Sequence, residues 1–447
     1  MNSIQTKIQF MQRYFLHLLI IVFAISVVSA TWNMQPQVDS IGARNSFRSQ
    51  NPNDLFGAFP TWYFGMLPDG TLTWFQKARL IQILLVLIAS VIVLSMAHFR
   101  THISVLAMST ALIFVTNVNR DSFGLSFLIL GTAISLRLRV KETSISSKMS
   151  SLLLVGSMCL AFMMRPYFAF VSIPLLLSFF VNIKMIYRLL LIFTILFAPL
   201  VLNKFISQEM NLGKSFPSQQ PIAQDLSYLA CQTNNLNVQI KALKVLRIAN
   251  VNLNASQLCK LTSIHSGFLI SGDPWKSAPP AFQLFTESRE NYFNRFQTEY
   301  IKLVITRPDL FIKVKMHNFI ELLFAKGQMQ HLEPLTVSNN IFVMSTSKFL
   351  LYLDKLGCFT VLFMSLMVFY FWLRNKRQLN SDKRVIPVLL SAALSITGFS
   401  VIYVGAIGRY TYITFILLFL CMSYFLQARQ DDKSKEELVF EVKRWSS

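Results

Sequence analysis

The sequence predicts an all-α polytopic membrane protein: about ten transmembrane helices, with one mainly helical external domain between the seventh and eighth. Three observations carry this. Of 447 residues, 53% are hydrophobic and only 14% charged, with 40 Phe and a mean hydropathy of +0.47. A soluble chain is about a quarter charged. Ten segments are apolar over the length a bilayer demands. Finally, the surplus of 42 Lys and Arg over 21 Asp and Glu, net +21, collects between those segments rather than along one face.

In chain order the expected spans are Tyr14–Thr31, Leu80–Ala97, His102–Val118, Ser122–Leu138, Ser150–Met164, Pro166–Val181, Met185–Leu202, Leu356–Leu373, Val385–Ala406 and Tyr410–Leu426. Lys7 and Arg13 before the first, and Val-Ser-Ala near its end, also fit a signal peptide; with nine spans behind it, a retained helix is the better reading. An even number of spans puts both termini on one side. With that side in the cytoplasm, internal segments hold nineteen cations against seven acids, as the positive-inside rule requires. The basic surplus therefore sets orientation, and nucleic acid is not an implied partner. This divides the chain into an N-terminal membrane module (1–202) with a first external loop (32–79), an external domain (203–347), C-terminal transmembrane helices (348–427) and a cytoplasmic tail (428–447).

The external domain reads as loops and short helices from Gln208 to Pro280, then an amphipathic helix over Phe282–Arg307 carrying Phe293, Phe296, Tyr300 and Leu303 at helical spacing. A second helix starts at Pro308, a favourable first position, with Asp309 in its first turn. It either packs on the domain or lies at the membrane interface. Cys159, Cys358 and Cys421 fall in spans as small hydrophobes. Cys231 and Cys259 are the two external ones, so an oxidising compartment would join them in a disulfide; two free thiols are the other reading.

No Walker loop, GxGxxG, HExxH or CxxC is present, and the six His have no ligand spacing. Chemistry is instead concentrated in the external turns. Gln37–Arg44 holds Asp39 and Arg44; Asn119–Ser122 holds Arg120 and Asp121; Met164–Tyr167 holds Arg165; Gly405–Tyr410 holds Arg409. In a compact bundle these four turns cap one face, surrounding a cavity with acids and with guanidiniums, whose planar forks suit phosphate. The plainer reading is local ion pairing, such as Arg120 with Asp121, or anchoring at the interface. In the first loop Phe56, Phe59, Trp62, Tyr63, Phe64 and Trp74 suit interface anchoring more than sugar stacking.

The acid soon after the first span (Asp39), the Asn119-Arg120-Asp121-Ser122 turn, the Arg165-Pro166 turn, Gly408-Arg409-Tyr410 and Arg307-Pro308-Asp309-Leu310-Phe311 together resemble the GT-C superfamily of integral-membrane glycosyltransferases. Size and basicity are similar to the glucosyltransferases that modify bacterial O-antigen. The resemblance implies residence in the bacterial inner membrane and an outward-facing polyprenyl-phosphate sugar donor. Asp39 would be the general base, with Asp121 as second acid. Arg44, Arg120, Arg165, Tyr167, Arg409 and Tyr410 would surround the phosphate, and a glycan or lipid-linked acceptor would meet the external domain. Many relatives follow the first acid with His-Pro-Pro; here Asn51-Pro52-Asn53-Asp54 stands in its place, which leaves Asp54 as the alternative base. Magnesium or manganese on Asp39 and Asp121 is compatible with hard oxygen ligands and not demanded by the chemistry. The competing readings are an O-antigen polymerase or ligase, and a transporter or flippase of lipid-linked saccharide.

Overall fold

In a computed structural model the described residues are 2–49, 57–96, 99, 101–138, 145–165, 168–179, 185–214, 216, 219–233, 235–249, 254–264, 289–324, 330–356, 365–370, 373, 385–402 and 413–427. Among them there is no β-strand: the protein is all-α. The first five long helices are α1 (Asn2–Thr31), α4 (Trp74–Ser95), α5 (His102–Phe114), α6 (Arg120–Leu138) and α7 (Ile145–Met164). The first loop folds as α2 (Val38–Arg48) and α3 (Ala58–Met66). Then come α8 (Phe168–Phe179), α9 (Met185–Glu209), α10 (Gln219–Gln232), α11 (Leu236–Ile248), α12 (Ala255–Ile264), α13 (Glu290–Thr306) and α14 (Pro308–Phe324). A 3-10 helix (Gln330–Val337) precedes α15 (Ile341–Leu356), α16 (Val385–Ile402) and α17 (Ile413–Gln427).

The core of the bundle joins α1, α4, α5, α6, α7 and α8 to α15, α16 and α17. Its helices alternate in direction. The C-terminal ends of α1 and α5 meet the N-terminal end of α4 through Arg79, which is 1% exposed. Arg79 Nε donates to the Thr116 carbonyl (2.9 Å), Nη1 to those of Thr31 and Trp32, and Nη2 to that of Met34 (2.6 Å). No carboxylate among the described residues pairs with it. Its charge is held by the negative ends of two helix dipoles. One turn on, buried Gln82 continues the seam: with its amide oriented to satisfy both ends, it donates to the Val115 carbonyl and accepts from the Phe123 N–H. Helix α4 itself starts in a capping box, Thr73 with Gln76. At the opposite end Ser423 of α17 bonds Thr101 and Ser104 at the start of α5.

Two helices are long and apolar enough to cross a membrane, Tyr14–Thr31 and Trp74–Ser95. Among the described residues the shorter apolar helices include His102–Phe114; thirteen residues rise only about 20 Å, because α5 ends where Val115 and Thr116 turn back onto its last carbonyls. The described helices therefore display two membrane-length spans rather than ten. Large apolar side chains nevertheless stand exposed along α1 (Tyr14, Leu18, Ile25), α4 (Leu84, Ile88) and α9 (Phe193, Phe197, Phe205).

Two further expectations change. The first-loop aromatics are core, not interface anchors: Phe59, Phe64 and Trp74 are buried, Tyr63 stacks against Phe123 at 4.3 Å, and only Trp62 of the described ones is exposed. Burying them against α6 and α7 removes more apolar area from water than an interface would. Helix α3 starts at Gly57, whose φ of +90° favours glycine. A Cβ at Gly65 would overlap the Phe47 ring, so α2 and α3 approach closely. Second, the stretch before the expected eighth span packs on the helix bundle rather than only within a domain of its own. Leu332 and Leu335 already join the bundle core, and α15 puts Val343 and Leu350 into it, with Asn340 donating to Ser26 of α1 (2.8 Å). Ser345, Ser347 and Lys348 break the apolar run that a span would need.

Helices α10–α14 enclose a separate core. As expected, Phe293, Phe296 and Leu303 are its buried members on α13, and α14 starts at Pro308; Phe282 and Phe285 lie outside the described residues. Val314 packs into this core while α14 also runs along α16. Beneath it Asp225, 1% exposed, accepts from Tyr300 Oη (2.6 Å) and Lys315 Nζ (2.9 Å). Burial first, then the Asp225 charge, pushes the Tyr300 phenol up, so it stays a donor. Cys231 of α10 and Cys259 of α12 form a disulfide with Cα atoms 5.1 Å apart.

Closing a loop of 28 residues is worth about 3–4 kcal/mol in the chain-entropy account. Cys231→Ser should therefore lower the unfolding midpoint of the non-reduced protein, and reduction should do the same to wild type; equal midpoints would remove the bond. Replacing Arg79 by Met should cost about 3 kcal/mol or more, because buried carbonyls lose their donors. Urea titration of the full chain in detergent reads this, and a loss under about 1 kcal/mol would mean that solvent replaces the guanidinium.

Candidate functional site

The outer ends described above bring three of the four charged turns together. Gln37 is the N-cap of α2. Its N–H donates to the Val118 carbonyl (3.2 Å) and its side-chain oxygen accepts from Asn119 Nδ2 (2.6 Å). Ser40 Oγ also donates to Val118 (2.6 Å). The first loop is thus tied to the turn between α5 and α6 by bonds on both sides of Asp39. The backbone of Asp39 is held in the first turn of α2; its side chain lies outside the described residues.

The start of α6 is defined by Asn119, whose Oδ1 accepts from the Ser122 N–H (2.7 Å), an N-cap of the preferred type. This places Arg120 and Asp121 in its first turn, where an acid favours the dipole. Asp121 is 6% exposed and Arg165, at the end of α7, 4%. They form a two-pronged ion pair, Nε to Oδ1 and Nη2 to Oδ2 (2.9 Å). The carboxylate of Asp121 thus reaches across two helices to Arg165. Arg120 is half-buried beside it.

Arg44 has a scaffold role. It is buried, lies 5.0 Å from the Trp74 ring, donates to the Phe64 and Leu67 carbonyls (3.2 and 2.7 Å), and pairs with Asp69 (2.6 Å). Burial acts to raise the Asp69 carboxyl. The Trp74 N–H bond and the Arg44 and Arg48 charges outweigh it, so the net shift is downward and Asp69 stays ionised. Tyr167, Arg409, Tyr410 and Asp54 lie outside the described residues.

Among the described residues no group of three His, Cys, Asp or Glu could hold a metal ion. Asp121 has both oxygens turned to Arg165, so the donor set does not fit a magnesium or manganese shared with Asp39, and no chemical step is routed through one. Sequence reasoning missed Arg79, Gln82 and Asp69. The signal for the first two was an Arg and a Gln three apart on an otherwise apolar helix, hence on one face.

No protein-family model, curated protein or solved structure matches this chain.

A buried pair is costly to break and much less costly to replace. Arg165→Ala should destabilise the protein by about 3–5 kcal/mol, and adding Asp121→Asn should recover part of that loss. Unfolding midpoints of the two single variants and the double variant check this; strict additivity would mean the two groups do not interact.

Proposed function

We propose that the chain is an integral-membrane glycosyltransferase of the GT-C kind, moving a sugar from a polyprenyl-phosphate donor to a cell-surface glycan or lipid-linked acceptor. The observation that carries this is the convergence of Gln37–Ser40, Asn119–Asp121 and Arg165 at one end of the helix bundle. A face that gathers acids and guanidiniums at the edge of an apolar bundle is costly and suits an anionic, lipid-borne substrate. The proposal includes ten spans, residence in the bacterial inner membrane, cytoplasmic termini and an external domain. Supporting these are the opposed directions of successive helices, the exposed apolar side chains on α1, α4 and α9, and the disulfide, which belongs in an oxidising compartment.

In this reading Asp39 removes the proton from an acceptor hydroxyl as that oxygen attacks the anomeric carbon. The bond from that carbon to the phosphate oxygen breaks, and configuration inverts. Negative charge grows on the departing polyprenyl phosphate, where Arg120 and Arg409 stabilise it. The N-terminal end of α6 adds a favourable dipole. Arg165 takes a different part from the one its residue type alone implies: by holding Asp121 it fixes the start of α6 against the end of α7 and so sets where Arg120 points.

Asp39→Asn should express and fold as wild type while transfer falls by a factor of 100 or more, on the order of the general-base contribution. The readout is the mass and linkage of surface polysaccharide from cells carrying each form. Wild type should add one sugar per repeat and the variant none; an unchanged polymer with wild type, or a change only in chain length, would refute the transferase.

A further inference from the structure

Helix α11 turns Val238, Ala242, Val245 and Leu246 into the core of its domain. On a helix that only packs, the opposite face is polar. Here Leu236 and Ile240 stand out of it, 67% and 55% exposed and one turn apart. Exposed Lys244 and Arg247 continue the same stripe, with exposed Lys241 beside it. No Asp or Glu occurs anywhere on this helix. Arg247, in the last turn, also suits the helix dipole, but that accounts for one cation and for neither apolar side chain.

The neighbouring helix extends the charge. Helix α11 packs along α13, whose Arg295 and Lys302 are exposed. Glu299 senses the cations of both helices: the Lys302 hydrogen bond first (2.7 Å), then the charges of Lys302, Arg295 and Lys244, hold its carboxyl below the usual range. The two acids of α13 are already paired, Glu299 with Lys302 and Glu290 with Lys214. A surplus of positive charge therefore faces outward around the apolar pair.

This combination matches the two layers of an anionic bilayer surface, phosphate headgroups for the cations and the acyl boundary for Leu236 and Ile240. A soluble polyanion would use the cations and leave the apolar pair in water. An apolar protein partner would leave the cations unpaired. The domain is also tied to the helix bundle at both ends, by α9 and by α14 along α16. A bilayer that holds the bundle is thus present at high effective concentration.

We propose that the Leu236–Arg247 face of α11 docks on the anionic surface of the bilayer in which the bundle sits. Leu236 and Ile240 enter the headgroup boundary, and Lys241, Lys244 and Arg247 lie among the phosphates. The inference rests on the membrane residence in the proposed function and not on sugar transfer.

The test uses the purified full chain in nanodiscs of phosphatidylcholine, with or without phosphatidylglycerol, and brominated acyl chains as quencher. A fluorophore is placed on Asn237→Cys, an exposed position beside the apolar pair, or on Leu18→Cys of α1, 60% exposed, as a reference. Labelling without reductant keeps the Cys231–Cys259 disulfide closed, and the unsubstituted chain gives the background. The fluorophore at position 237 should be quenched in discs with phosphatidylglycerol and released by molar salt. Each cation near an anionic surface favours association about fivefold. Lys241→Gln, Lys244→Gln and Arg247→Gln together should therefore shift the ratio of docked to undocked protein about a hundredfold. Leu236→Ser with Ile240→Ser should also release the fluorophore. Quenching at position 18 with none at 237 overturns the docking and leaves the membrane reading standing, whereas none at either removes both. Equal quenching in the two lipid mixtures, or quenching that survives either set of substitutions, overturns the proposal. So does a fluorophore that is shielded from water yet untouched by bromine, which assigns the face to a protein partner or a second copy.

Discussion

One guanidinium closes the end of the bundle at which the described charged turns gather. Arg79 reaches from the start of α4 to four carbonyls at the ends of α1 and α5. Helix ends leave their last carbonyls without internal partners, and burying two such ends side by side would be prohibitive without a donor. The cation meets that need, and the carbonyl dipoles keep the cation charged. Because the ends of α1 and α5 are held level, the segments that follow them, Gln37–Ser40 and Val118–Asn119, emerge close enough to bond to each other. The Asp121–Arg165 pair then brings the end of α7 to the same level.

This face is consequently built on helix termini rather than on a fold of its own. Among the described residues, the backbones of Asp39, Arg120, Asp121 and Arg165 each sit within one turn of a helix end. A neutral, two-pronged pair lies at its centre, with Arg120 beside it. Aromatic packing of α3 beneath this face excludes water from the pair, which strengthens it. Helices α10–α14 have a separate core and reach the bundle through α14, which contributes Val314 to one core and runs along α16 of the other.

How much of this could be read in advance differs between features. The all-helical class, the pairing of Cys231 with Cys259 and the start of α14 at Pro308 follow from composition, compartment and local helix chemistry. The grouping of three charged turns at one end accords with the alternation expected from the sequence; the fourth, Gly405–Tyr410, lies outside the described residues. Which partner each charge takes was not legible. Arg120 and Asp121 are adjacent in the chain, and the bond between Asp121 and Arg165, 44 positions on, was not to be read from that adjacency. Arg44 reads as a phosphate ligand in one dimension and is a strut to Asp69 in three. Helix α15 escaped because hydrophobic length is the signal for a span, and a short helix broken by Ser and Lys has none.

By itself, then, the sequence determined that this chain is helical and apolar, which sides its segments favour, and which residue types stand at the turns. These are local or summed properties, set by transfer free energies and caps that need no knowledge of distant residues. Only the tertiary structure decided which distant group each described polar side chain meets. Hydrogen-bond partners across helices are far apart in the chain, 44 positions for Arg165 and Asp121 and 82 for Asn119 and Gln37. Their pairing depends on the depth at which each helix ends, a quantity fixed by packing and not by pattern.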